Sequence, residues 1–349
     1  MDLSRAVFPL LQRLDPERAH NLTIWALRNG FGPERNGADD PRLHQSLWGL
    51  KFPNPVGISA GFDKNAEVFD PLLRAGFGFV EVGTVTPRPQ MGNPKPRLFR
   101  LPEDGALINR MGFNNDGLDP VIARLSNRHG GVVGVNIGIN KDCTDAERDY
   151  ALAAGRLAPL ADYLVINVSS PNTPGLRALQ DKAALQGLIR RTQTALRDSV
   201  PTPPPLLVKI APDLTEDDER DIADVAMTLG LQGLIVSNTT IGRADTLASP
   251  HCGEGGGLSG RPLFERSTAL LSRLYLMTEG TLPIIGVGGV CTAQDAYAKI
   301  RAGASLVQLY SALALQGPTL LSEILDKLGN LLTLDGFESV TDAVGAAHR

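Results

Sequence analysis

Ser169-Ser170-Pro171-Asn172 follows an apolar run at 163–166 and opens a segment rich in Pro, Asn and Gly that extends to about Asp181. Serine, proline and asparagine are ordinary turn formers, so composition alone makes Ser170 a turn residue in a loop long enough to act as a lid. No histidine or carboxylate stands near it in sequence to activate a nucleophile, so a hydrolase triad is not supported.

Other polar residues also stand directly after short apolar runs: Ala60 and Gly61 with Lys64, then Thr84, Asn136, Asn167, Lys209, Ser237-Asn238-Thr239, Gly288-Gly289 and Tyr310-Ser311. These positions carry amides, hydroxyls, lysines and glycines and no carboxylate, which does not suit Mg²⁺ or a two-carboxylate hydrolase. Asparagines offer both donor and acceptor and can read the alternating N–H and C=O edge of a planar amide ring. The lysines can neutralise phosphate, carboxylate or the negative charge of a reduced flavin. Gly286-Val287-Gly288-Gly289, with Gly257-Leu258-Ser259-Gly260 as a parallel case, fits a phosphate held by backbone N–H groups. Tight strand-to-helix turns would also use glycine there.

The runs that bring these residues together lie at 56–59, 79–83, 132–135, 163–166, 206–209, 234–236, 283–287 and 306–309, alternating with helical stretches. Eight βα units close a (β/α)₈ TIM barrel, an α/β fold whose active site forms at the C-terminal ends of the strands. A doubly wound sheet is the alternative, but no run leads into a G-x-G-x-x-G turn with a distant acidic partner. Long loops at 86–131, 169–181 and 239–260 read as lids or binding loops, and Pro201-Thr202-Pro203-Pro204-Pro205 as a stiff connector.

The 349 residues carry a net charge of −4 with pI near 5.8, which argues against nucleic acid as a partner. Cys143, Cys252 and Cys291 form no CxxC or Cys/His cluster and the five histidines are scattered, so neither a disulfide framework nor a metal centre is expected. Three segments are expected: a helical extension over 1–40, a barrel over 41–336 and a tail over 337–349. In the extension, Val7, Leu10, Leu11 and Leu14 have helical spacing, and Asp15-Pro16 starts a second helix bearing Leu22, Ile24, Trp25 and Leu27. No apolar run reaches the length of a membrane span. The pair fits either a cap on the bottom or side of the barrel or an amphipathic device at a membrane surface.

Five motifs resemble the dihydroorotate dehydrogenases, specifically the quinone-dependent class: Ala60-Gly61-Phe62-Asp63-Lys64-Asn65; Asn109-Arg110-Met111-Gly112-Phe113-Asn114; Asn167-Val168-Ser169-Ser170-Pro171-Asn172, continuing to Arg177; Val208-Lys209-Ile210-Ala211-Pro212-Asp213; and Ser237-Asn238-Thr239-Thr240. The resemblance implies FMN as cofactor, dihydroorotate as substrate, orotate as product and a membrane quinone as final acceptor. It makes Ser170, a position that is cysteine in the soluble class, the base that takes a proton from C5 while hydride leaves C6. It assigns substrate contacts to Lys64, Asn109, Arg110, Met111, Gly112, Phe113, Asn167, Asn172, Asn238 and Thr239. FMN contacts would come from Ala60, Gly61, Lys64, Thr84, Asn136, Asn167, Lys209, Ser237, Gly260, Gly289, Tyr310 and Ser311.

The resemblance also implies that the extension forms a quinone tunnel lined by His20 and Arg100, and that the protein is a monomer bound peripherally to the cytoplasmic face of the cell membrane. Two positions depart from the family pattern. Ser237 replaces a common threonine and keeps its hydroxyl, whereas Ala312 replaces a common glycine and would crowd a backbone with positive φ.

Overall fold

The computed structural model describes residues 8–35, 37 and 39–349. Val7, part of the first expected helix, lies outside them. Eight parallel strands close a barrel in the order β3 (Val56–Ile58), β4 (Phe79–Val85), β7 (Val133–Ile137), β8 (Tyr163–Asn167), β9 (Leu206–Ile210), β10 (Gly233–Val236), β12 (Ile284–Val287) and β13 (Ala304–Leu309), which pairs back to β3. All eight coincide with the runs expected from sequence, within a few residues at their ends. Their continuous apolar character follows from burial on both faces.

Alternate residues divide between two cores. Val80, Val82, Leu164, Ile166, Val208 and Ile210 face the surrounding helices. Phe79, Tyr163, Val165, Leu207, Ile235, Ile285 and Leu306 fill the barrel. Gly57 and Gly134 leave room for the rings of Phe79 and Tyr163, with which any Cβ there would collide.

A hairpin of β1 (Gln45–Leu47) and β2 (Leu50–Phe52) closes the barrel floor. Its two-residue turn places Trp48 and Gly49 at positive φ, as a type I′ turn requires. Trp48 tolerates that conformation where its indole N–H donates to Gln232 O at 2.7 Å and its ring meets Tyr163 at 5.9 Å.

At the opposite end, the loop at 86–131 forms β5 (Leu98–Leu101) and β6 (Ala106–Asn109), and the loop at 239–260 contributes β11 (Gly257–Gly260) to the same antiparallel sheet. The extension therefore packs at the mouth, against β5, rather than on the floor. A short helical stretch at 8–11 precedes α1 (Pro16–Arg28), whose first turn is capped by Asp15 accepting from Arg18 N at 3.0 Å. Arg97, immediately before β5, grips Glu17 of α1 through two bonds of 3.1 and 2.7 Å, and both side chains are buried. Burial acts to raise the Glu17 carboxyl, but Arg97 and Lys95 outweigh it and hold it below the ordinary value.

The expected tail at 337–349 packs on the barrel. Its helix Val340–Ala343 buries both end residues in the outer core, and Gly345 N donates to Ile300 O.

Candidate active site

The strand ends and mouth loops enclose one cavity, and among the described residues no carboxylate lines it. One carboxylate lies beneath it. Glu81, on β4, is fully buried inside the barrel, where Oε1 accepts from Asn136 Nδ2 at 2.9 Å and Oε2 from Gln308 Nε2 at 2.7 Å. A carboxylate only accepts, so the amide of Asn136 must turn its nitrogen down and its oxygen up. That oxygen accepts from Thr84 Oγ1 at 2.6 Å and Asn167 Nδ2 at 3.0 Å. Asn167 in turn directs its own oxygen to Ser169 Oγ at 3.0 Å and Asn238 Nδ2 at 3.4 Å.

Lys209 stands beside this chain, its Nζ 3.0 Å from Ser59 Oγ and 3.7 Å from Glu81. Burial lowers its pKa, and Glu81 works in the opposite direction.

The loop after β3 is held by Asp63, whose carboxylate accepts from Glu67 N and Val68 N, both at 2.8 Å. Burial pushes Asp63 up to about 6 despite these bonds. Gly61 takes φ +102 there, and Gly61 N bonds to Gly83 O at 2.7 Å, so the loop lies against β4. Lys64 projects into the cavity wall, and burial pushes it down to about 8. Its Nζ is 3.4 Å from His20 Nε2. Burial and the neighbouring Lys64 charge keep His20 well below its ordinary value, so the imidazole is neutral and its Nε2 serves as acceptor. His20 also packs edge-on against Phe62 at 5.5 Å and near Tyr310 at 6.4 Å, which carries the extension directly to the site.

Ser170 is buried on the cavity wall, and its Oγ accepts from Asn172 N at 3.2 Å. Asn172 Nδ2 reaches Asn109 O at 3.1 Å and Oδ1 at 3.3 Å. Arg177 fastens the lid: it donates to Ser169 O at 3.1 Å and Thr239 O at 2.9 Å and pairs with Asp213 at 2.9 Å. Asp213 also binds the Thr240 hydroxyl, Ile241 N at 3.0 Å and Arg266 at 3.1 Å, joining the loops after β8, β9 and β10.

At another wall, Gly260, Gly288, Gly289, Ser259 and Ser311 form a ledge, with the Ser311 hydroxyl donating to Ser259 Oγ at 2.8 Å. Gly288 N and Gly289 N make no hydrogen bond within the protein among the described residues. Any Cβ at Gly289 would overlap Phe264, so glycine is required there. Ala312 lies inside the helix Ser311–Gln316 and is not a positive-φ residue, so the crowding expected at this position does not arise.

The cavity brings together Ala60, Gly61, Lys64, Thr84, Asn167, Lys209, Ser237, Gly260, Gly289, Tyr310 and Ser311 with Asn109, Met111, Gly112, Phe113, Asn172, Asn238, Thr239, Ser170 and His20. It does not include Asn136, which sits one layer below, or Arg110, whose guanidinium pairs with Glu254 at 2.8 Å and covers the Phe99 ring. Arg100 lies outside it as well, donating to the carbonyls of Leu11, Gln12 and Leu14. Asn114 and Gln308 line the cavity, and each has a buried side-chain oxygen with no partner among the described residues. The same motif as Asn109 already contained Asn114, but nothing in the sequence distinguished its oxygen as unpaired.

Fold and site define a (β/α)₈ barrel whose mouth is lined by amides, hydroxyls, lysines and glycines. The dihydroorotate dehydrogenase family model matches residues 42–332, and the chain belongs to that family. It is 58% identical to the dihydroorotate dehydrogenase (quinone) of Rhodospirillum rubrum, over 100% of this chain and 95% of the relative. It is 54% identical to that of Azorhizobium caulinodans over the full length of both. The crystal structure of the Eimeria tenella DHODH in complex with ferulenol superposes with a TM-score of 0.93 at 48% identity, covering 96% of each chain.

Replacing Glu81 with Gln places an amide where both neighbours donate, so at least one buried donor loses its acceptor. Urea unfolding of Glu81→Gln is expected to show a loss of about 2–4 kcal/mol, the scale for breaking a buried charged network. Unchanged stability would mean that Glu81 does not organise the amides.

Proposed function

We propose that this protein oxidises dihydroorotate to orotate in pyrimidine biosynthesis, with FMN as hydride acceptor and a membrane quinone as final electron acceptor. The observation that carries the reading is the pairing, in one cavity, of an asparagine-rich wall with a lysine-and-glycine wall. The first suits a planar amide ring bearing a carboxylate, and the second suits a flavin and its phosphate. The oxygens of Asn114 and Gln308 and the N–H groups of Gly288 and Gly289 fit such a ligand, because each needs a partner that the described residues do not provide.

FMN, when bound, supplies a two-electron acceptor that the side chains lack. Ala60, Gly61, Thr84, Asn167, Lys209, Ser237, Gly260, Gly289, Tyr310 and Ser311 would hold it, and Asn136 would act from below by orienting Thr84 and Asn167. Asn109, Asn172, Asn238 and Thr239 would bind the pyrimidine edges, with Met111, Gly112 and Phe113 alongside and Lys64 neutralising the carboxylate. Arg110 would act through the loop that it braces against Glu254.

Ser170 would take the C5 proton. A hydroxyl is a weak base in water, so the buried lid, fastened by Arg177, must exclude solvent around it.

The extension supports the reading of acceptor and location. Its Leu10, Leu14, Leu22, Trp25 and Phe31 are exposed large apolar residues, while His20 of the same segment lines the cavity. No described helix is long and apolar enough to cross a membrane. An amphipathic segment that rests on the cytoplasmic face of the cell membrane and opens inward past His20 would bring a quinone to the flavin. Arg100 would hold the carbonyl ends of the first helical stretch in place beside that route. A monomer suffices for this arrangement.

Mixing dihydroorotate anaerobically with the purified protein should bleach the flavin, and Ser170→Ala should slow bleaching by roughly 10²- to 10⁴-fold, the usual worth of a general base. Equal rates would remove Ser170 from that role. Lys64 carries its charge below a pKa of about 8 and loses it above. KM for dihydroorotate should therefore rise as pH passes upward through 8. In Lys64→Met it should be high at neutral pH and flat over that range, and a parallel rise in both proteins would contradict the assignment.

A further inference from the structure

Lys299, on the helix Ala293–Arg301, is fully buried, and no carboxylate forms an ion pair with it among the described residues. Its Nζ donates to Ser267 Oγ at 2.8 Å and Thr268 Oγ1 at 2.9 Å and lies 5.1 Å from the centre of the Phe264 ring. Burial pushes the ammonium down to about 7, with Asp295 on the same helix opposing. An ammonium removed from water without a counter-ion is costly, so it persists where a further interaction offsets that cost.

The contacts of Lys299 lead to the glycine ledge. The Ser267 hydroxyl reaches two carbonyl oxygens, Gly288 O at 3.0 Å and Phe264 O at 3.1 Å; Phe264 O already accepts from Thr268 Oγ1 at 2.7 Å, which favours Gly288 O as the acceptor of the Ser267 proton. Gly288 O belongs to the same peptide unit as Gly289 N, one of the two N–H groups with no acceptor among the described residues. The dipoles therefore align from ammonium to hydroxyl to peptide, and each polarises the next. Phe264, over whose ring the ammonium sits, is also the residue that leaves no room for a Cβ at Gly289.

We propose that Lys299 is a positioning residue for the cofactor's phosphate: through Ser267 and the Gly288–Gly289 peptide, its buried charge makes the ledge electropositive from behind. This rests on the flavin mononucleotide reading of the site. The phosphate supplies the counter-charge that no ion pair among the described residues gives Lys299, and its affinity depends on a residue that never touches it.

The test compares FMN with riboflavin, which lacks only the phosphate. Full-length protein stripped of flavin is titrated with each ligand, and binding is followed by quenching of flavin fluorescence. Lys299→Met should weaken FMN by about tenfold or more, the scale of a charge acting across one layer of partly buried structure, and change riboflavin affinity less than about twofold. Equal losses for both ligands would reduce Lys299 to a packing role, and no loss for either would remove it altogether. If Lys299→Met does not fold, Ser267→Ala decides: it cuts the relay and keeps the charge, and should lower FMN affinity about threefold while sparing riboflavin. Equal effects on both ligands in that variant would overturn the proposal. A wild-type protein that does not prefer FMN to riboflavin would instead contradict the cofactor reading on which the proposal stands.

Discussion

A single carboxylate inside the barrel sets the polarity of the mouth. Glu81 can only accept, and both of its oxygens are engaged by amide nitrogens, from Asn136 and Gln308. Asn136 is thereby oriented, Thr84 and Asn167 are oriented by Asn136, and Ser169 and Asn238 by Asn167. An isolated amide in a pocket could flip, but one in this chain cannot do so without leaving a buried donor facing another donor. Lys209 enters the same network as its cation. A cavity wall free of carboxylates among the described residues thus depends on a carboxylate one layer down.

The two mobile-looking features of the sequence, the lid and the extension, are each tied by an arginine. Arg177 and Asp213 bind the lid to the loops of the next two strands. Arg97 binds the extension to the sheet over the mouth through Glu17. The consequence for the extension is directional. With Glu17 fixed inward, His20 reaches the cavity wall while Leu22 and Trp25 remain exposed. One helix then presents an apolar surface outward and a neutral imidazole inward, the arrangement on which the proposed membrane-facing role rests.

Much of this was legible in the sequence, for identifiable reasons. Barrel strands buried on both faces leave uninterrupted apolar runs, so the eight strands and the residues just beyond them could be placed by position alone. Ser170 could be placed on the lid, but its chemistry came from family resemblance. The β1–β2 hairpin was not foreseen, because its turn holds Trp48 rather than the expected Asn or Asp at positive φ, and what stabilises it is contact with Tyr163, far away in sequence. Glu81 sits inside an apolar strand run, where a charged residue flanked by valines is the one local signal of an internal partner. Long-range pairs such as Glu17 with Arg97 leave no local mark. The exclusion of Arg110 and Arg100 from the cavity also depends on where side chains turn, which a motif does not specify.

The most direct measurement is the electron acceptor of the purified, flavin-loaded protein, with dihydroorotate oxidation followed separately in the presence of a ubiquinone analogue, fumarate and NAD. Turnover with the quinone analogue and little with either soluble acceptor is the expected result. Preference for fumarate or NAD would contradict the role given to the extension and its route past His20.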